Sequence, residues 1–426
     1  MRQPTEQAQA PRQDSGWGRA TESLQIREFR WLFIGNMAFF LAMGGQGIVR
    51  PWIALEITDD PFALGLTGAA MAVPMLFLSP LGGALADRFD RRFMIVSALS
   101  LALLTELIVY GLVLTDRIEF WHLIVASVSL GACFPIQMPA RSAIVANLVD
   151  RKRLGAAMGL NMTGVNVTRV VGPAVAGVLI AAIEIEGAYA VNLVLYVVAI
   201  AAMLVVRRAP PAVKSQESLT TNMIEGFRYL RADRMVAILL VFGLVPQFLA
   251  MPFQQVLPVF ARDVWETGPQ GLGILSASTG VGAVVGSMYI AARDQEKRRL
   301  PMMMASVVAF CLFIVAFALS PSFWPAVALA FLGNIGASIF STLNNVSIQL
   351  VIPDEVRGRV SSFLMMSVSL PLLGGLPVTH ITGTYGAPTA VAGACVLALA
   401  LAIGVYLGSP RLRGVDDRVR RKLRES

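Results

Sequence analysis

Four ionisable side chains, Arg50, Glu106, Arg141 and Arg169, stand inside stretches of this chain that are otherwise strongly apolar. A charge at the centre of a bilayer costs at least about 2.5–3.5 kcal/mol, so each needs a partner or a task. Glu106 is the carboxylate deepest in an apolar run. It can take up and release a proton, as can Glu56 and Asp87 at the ends of two other runs; for Glu106 a structural hydrogen bond is the alternative. Arg50 follows Gly44-Gly45-Gln46-Gly47 and precedes Pro51. A fixed positive charge there suits an anionic or carboxylate-bearing substrate, unless the side chain snorkels to the outer headgroups. Bond-making chemistry has no such support, because no set of nucleophile, base and metal ligands can be named. The two histidines, His122 and His380, cannot make a metal site alone, and Cys133, Cys311 and Cys395 stand far apart in apolar runs, as packed thiols do. No Gly-x-x-x-x-Gly-Lys occurs, and none of the four lysines follows a glycine, so ATP-driven pumping finds no footing. Neither an enzyme nor a cofactor site is expected.

The elements around these residues are spans. Of 426 residues 56% are hydrophobic and 15% charged, where soluble domains carry about 25% charge. Twelve apolar runs long enough to cross the bilayer as helices fall at roughly 31–56, 63–86, 93–115, 119–148, 155–183, 186–206, 235–261, 269–292, 301–319, 321–352, 358–383 and 386–408. The Lys and Arg cluster in alternate connections and in both tails, with only Arg117 and Arg262 in connections on the other side, which puts both termini in the cytoplasm. The net charge of +8 is therefore topological and gives no sign of a nucleic-acid partner; contact with anionic lipid is its by-product.

Five regions follow: a disordered tail (1–28), a six-helix bundle (29–206), a cytoplasmic linker with an interfacial helix (207–234), a second bundle (235–409) and a basic tail (410–426). In the linker Thr221 or Asn222 can cap a short helix bearing Met223, Ile224, Phe227 and Leu230 on one face. The halves echo each other at an offset of about 204 residues: Val149 to Gly155 matches Pro353 to Arg359.

The charged turn Gly83-Ala84-Leu85-Ala86-Asp87-Arg88-Phe89-Asp90-Arg91-Arg92 resembles the Gly-x-x-x-Asp-Arg-x-x-Arg-Arg signature of the major facilitator superfamily, with Asp90 where glycine is usual. Leu55-Glu56-Ile57-Thr58, Pro139-Ala140-Arg141, Gly172-Pro173-Ala174-Val175-Ala176-Gly177, Glu225-Gly226-Phe227-Arg228-Tyr229 and Arg357-Gly358-Arg359-Val360 resemble its twelve-helix branch of enterobactin and macrolide exporters. The resemblance implies an all-α membrane protein of two six-helix repeats, with the substrate site between them near the midplane. It makes Gly83, Asp87, Arg88, Arg91 and Arg92 a gating latch, Asp87 facing the start of span eleven near Arg357 to Val360. It makes Gly164, Arg169, Gly172, Pro173 and Gly177 a span-five antiporter motif, or else ordinary close packing. Spans 1, 4, 7 and 10 would line the path with Gln46, Arg50, Gln137, Arg141, Gln247, Gln254, Gln255, Asn334, Asn344, Asn345 and Gln349, although Arg141 and Arg169 suit a stabilising role as well.

The leading expectation is a monomeric exporter of small organic molecules, of drug or siderophore type, in the bacterial cytoplasmic membrane, working by alternating access with the proton as coupling ion. An importer or facilitator of an anionic solute, a lysophospholipid flippase, and a non-transporting sensor or scaffold are the alternatives.

Overall fold

The computed structural model describes residues 22–86, 88–210, 228, 231, 233–293, 299–352 and 366–425. In chain order the helices are α1 (Arg27–Thr58), α2 (Phe62–Ala86), α3 (Arg91–Leu114), α4 (Phe120–Leu148), α5 (Arg151–Val205), α6 (Arg234–Leu249), α7 (Phe253–Val259), α8 (Gly268–Ala291), α9 (Arg299–Ala318), α10 (Phe323–Val351), α11 (Leu370–Tyr385), α12 (Ala387–Gly408), the short α13 (Pro410–Arg413) and α14 (Val415–Glu425). Polar residues at the ends of apolar runs start several of them. Asp90 caps α3 by accepting from the Phe93 amide, and Asp233 caps α6 through the amides of Met235 and Val236. At the start of α4, Glu119 and His122 close a reciprocal capping box.

Among the described residues ten segments are long and apolar enough to cross a membrane. This departs from the expected twelve at two places. Residues read as two spans form the single element α5, which bends at Ile183 and at Glu184, where φ is 62°, into two arms. The run read as 358–383 lies in part outside the described residues, and its α11 has 16 residues, short of a full crossing. The seventh run is interrupted at Ala250 to Pro252 and closes in a π-helical turn, Phe260–Val264.

In the first half α1 packs along α5, α2 along α4, and α3 against α4 and α5. The second half pairs α8 with α10, α9 with α10 and α12, and α6 with α11 and α12. The caps at the ends of α4 and α10 repeat as well. Arg207 donates to the Asn147 carbonyl at the end of α4 (3.1 Å), and Lys422 donates to the Val351 and Ile352 carbonyls at the end of α10 (3.1 and 2.6 Å). Each cation follows the last span of its half and covers orphan carbonyls of a helix end.

The halves meet along two seams, α5 with α8 and α2 with α11. One apolar core runs through the second half and continues into Trp52, Leu64, Val109 and Tyr189 of the first, while a separate core around Phe29, Met94, Ile144 and Met203 stays within the first half. The two halves therefore share a core at the end holding the α1–α2 and α7–α8 connections, and keep their own cores at the opposite end.

Candidate functional site

Arg50 on α1 turns inward and ion-pairs through Nη2 with Glu106 Oε1 on α3; the two side chains are 7% and 0% exposed. The snorkelling alternative for Arg50 is thereby corrected, since the guanidinium points into the bundle. Its charge is also neutralised by the protein, so it is not the free cation an anionic substrate would seek. Tyr189 and Tyr196, two turns apart on the second arm of α5, are fully buried beside the pair. Gln46, one turn before Arg50, is 4% exposed, and Tyr110 stacks on Tyr189 at 6.4 Å. Asn192 packs onto Gly45, where an added Cβ would stand 2.5 Å from its Oδ1 and force that side chain to move.

Arg141 on α4 heads a second, fully partnered network. It donates to Gln137 Oε1 through Nε (3.1 Å) and Nη2 (3.0 Å), and to Asn36 Oδ1 through Nη1, while its guanidinium lies 4.3 Å from the Phe39 ring centroid. Asn36 in turn donates to Asn161 on α5 (2.8 Å). This network ties α1, α4 and α5 together, the stabilising role among those open to Arg141. In the second half Gln254 is exposed and donates to the buried Asn334 (3.3 Å), Asn345 is exposed, Gln247 is half-buried and Asn344 is buried against Gly243. Gln255 donates to the Pro371 carbonyl (2.8 Å). The polar residues expected along the path thus fall into separate groups, and the structure joins Arg50 to Glu106 rather than to them. Glu56 accepts from the Trp52 indole (2.7 Å) near the end of α1.

The charged turn is anchored within its own half. Asp90 Oδ2 accepts from the Ala209 amide (2.9 Å), which gives the unusual Asp90 a task beyond capping α3. Arg91 donates to Asn147 Oδ1 and to the Ala143 carbonyl (3.3 Å), and Arg92 donates to the Leu204 carbonyl (2.7 Å). Arg88 is exposed. Asp87, Arg357 to Val360 and most of the linker helix lie outside the described residues, and Gly83 is placed near the end of α2. At the base of the second half Asp233 binds Arg418 of α14 with both oxygens. Burial would raise the pKa of Asp233, but the hydrogen bonds and charge of Arg418, with the Val236 and Met235 amides, outweigh it and hold the group below its ordinary value.

The span-five motif is divided between packing inside the first half and the α5–α8 seam. Gly172 packs on Gly44, where an added Cβ would come within 3.1 Å, and Gly177 faces Pro269 and Gly273 of α8. Gly164 faces Met37 and Phe33 within its own half, and Arg169 is exposed. Eighteen residues from Gly177, five full turns along the same face of α5, Gly159 meets nothing within 4 Å among the described residues. Reading the sequence alone overlooked Arg262. From the π turn it crosses between halves to the Leu55 carbonyl (3.0 Å) and to Asp59 (2.9 Å), and it also holds its neighbour Asp263 (2.5 Å). Its isolation on the side poor in basic residues was the signal available.

A family model described as transmembrane secretion effector matches residues 20–425. The enterobactin exporter EntS of Shigella boydii serotype 18 is 27% identical over 400 residues, covering 89% of this chain and 90% of its own length. EntS of Escherichia coli O139:H28 is 26% identical over the same shares. Among solved structures, the nucleoside transporter NupG aligns with a TM-score of 0.72 at 14% identity, over 89% of this chain and 98% of that one. A bacterial homologue of the human lysosomal transporter Spinster, inward-facing and unoccupied, aligns at 0.70 with 15% identity, over 95% and 98%.

Proposed function

Because the chain belongs to the transmembrane secretion effector family of the major facilitator superfamily, we propose that this secondary transporter exports a small organic molecule by alternating access, coupled to proton entry. It is a multi-pass membrane carrier and not an enzyme. Under this reading it has twelve passes with both termini in the cytoplasm, and the conformation described is open to the cytoplasm. The observation that carries the reading is the contrast along one face of α5: Gly177 is pressed against α8, whereas Gly159 meets nothing within 4 Å among the described residues. A seam closed at one end and parted at the other is half of an alternating-access cycle. The basic residues mark the parted end as cytoplasmic. Substrate taken up there leaves after the shared core at the opposite end separates.

The relatives' printed substrate makes enterobactin, a siderophore, the first compound to try. A free charge at Arg50 would suit an anionic substrate, and its pairing with Glu106 removes that support. Purified protein in liposomes with an acidic interior should accumulate labelled enterobactin, and a protonophore should abolish the accumulation. Uptake no faster than in protein-free liposomes, for both enterobactin and a lipophilic dye such as ethidium, overturns the export reading.

A further inference from the structure

Buried polar atoms are almost always paired, so a group of orphans in one place marks a site. Among the described residues five buried side-chain atoms without a hydrogen-bond partner stand together: Gln46 Nε2 and Oε1, Arg50 Nε, Glu106 Oε2 and the Tyr196 hydroxyl, with the Tyr189 hydroxyl beside Arg50. They come from α1, α3 and the second arm of α5. Donors and acceptors are mixed, which suits water and its protons better than any anion or metal ion.

We propose that Glu106, with Arg50, Tyr189, Tyr196 and Gln46, forms a hydrated proton-binding site inside the first half; this rests on the proton-coupled reading above. Glu106 Oε1 is held by Arg50, so the proton adds at Oε2, the oxygen left without a partner. A proton arriving from water makes the carboxyl group neutral, and its O–H donates to a tyrosine hydroxyl or to a water beside it. Arg50 then loses its counter-charge and can turn Nε toward Gln46 Oε1, one helical turn away. Release of the proton restores the ion pair. The other groups facing the cluster are Tyr110 from α3, Cys133 from α4, and Asn192 from α5, with Arg141 acting on Tyr196 from the far side. None of these is a carboxyl group, so Glu106 is the group suited to carry the proton.

The site is placed to act on the gate. Ile48, Val49 and Trp52, which flank Arg50 on α1, belong to the core shared by the two halves, as does Tyr189. A rearrangement of Arg50 moves the helix segment that must let go when that end opens.

Infrared difference spectroscopy of the full-length protein in nanodiscs, between neutral and acidic pH, should show a buried protonated-carboxyl band that is absent in Glu106→Gln. That variant leaves Arg50 without its counter-charge, so the double variant Arg50→Gln with Glu106→Gln is the folded control and should lack the band as well. Tyr189→Phe and Tyr196→Phe should shift the band, because a carboxyl group senses its hydrogen-bond partners; a merely structural ion pair would titrate no band there. In acid-inside liposomes enterobactin accumulation should fall roughly tenfold in the double variant. A carboxyl band that survives in Glu106→Gln overturns the site, as does undiminished gradient-driven uptake by the double variant. If the wild type ignores the gradient yet the Glu106 band titrates, the site stands and the coupled-export reading falls.

Discussion

Replacing Arg262 by alanine should unseal the end of the molecule at which the two halves share their core. Two of its contacts cross between halves. The bond to the Leu55 carbonyl at 3.0 Å sits at the C-terminal end of α1, where a cation also meets the negative end of the helix dipole. A hydrogen bond to a charged group contributes about 1.5–3 kcal/mol. The Asp59 contact at 2.9 Å adds little, about 0.2–1 kcal/mol, because Asp59 is 88% exposed and screened by solvent. The bond to Asp263 stays within one half and cancels between states. The closed form should therefore lose about 2–3 kcal/mol against the form opened at this end, a shift of roughly 30- to 150-fold in the ratio of the two. Spin labels at Arg117 and Tyr385, one exposed site at this end of each half, report the separation by pulsed electron resonance once the three native cysteines are replaced. A longer-distance population should appear in Arg262→Ala, a smaller one in Asp59→Asn, and none in Asp263→Asn. An unchanged distribution in Arg262→Ala, or an equal change in Asp263→Asn, refutes the clamp.

Packing and charge set four further outcomes. An alanine at Gly177 would place Cβ 2.6 Å from the Pro269 carbonyl and 2.9 Å from Gly273 Cα, which should cost the closed seam about 1–3 kcal/mol in the same distance measurement. Gly159→Ala, with nothing within 4 Å of the new Cβ among the described residues, should be neutral or stabilise its helix by up to about 1 kcal/mol in thermal unfolding. Arg141→Ala leaves Gln137 and Asn36 buried without their donor and should destabilise the first half by about 3 kcal/mol or more, read as a lower melting temperature. The carboxylate of Asp233 has its pKa depressed by Arg418, so its contribution is complete above the ordinary aspartate pKa and is lost as pH falls through the lowered folded value. Docking of α14 should then persist through mildly acidic pH and fail only in stronger acid, whereas Asp233→Asn should release it at neutral pH; hydrogen exchange over residues 415–425 measures both.

The spans were legible because hydrophobic transfer sums over neighbours in sequence. The 31–56 and 119–148 runs reappear as α1 and α4 with ends moved by a few residues. The bend of α5 falls between the two runs assigned to it, where Glu184 interrupts the apolar sequence. Arg50, Glu106 and Arg141 were also legible as residues that needed an explanation, since each is a charge in an apolar run.

Their partners were not legible. Arg50 and Glu106 lie 56 positions apart, and Arg262 reaches Leu55 across 207. In a soluble protein the polar face of a helix tells which side looks inward. Here Phe77 and Trp324 are each 70% exposed on helices as apolar outside as within. Lipid and protein interior are nearly equivalent solvents for such side chains, so composition alone determined that these helices cross the membrane and left their rotation about their own axes open. Close packing at Gly45, Gly172 and Gly177 settles that rotation, and with it which charges meet.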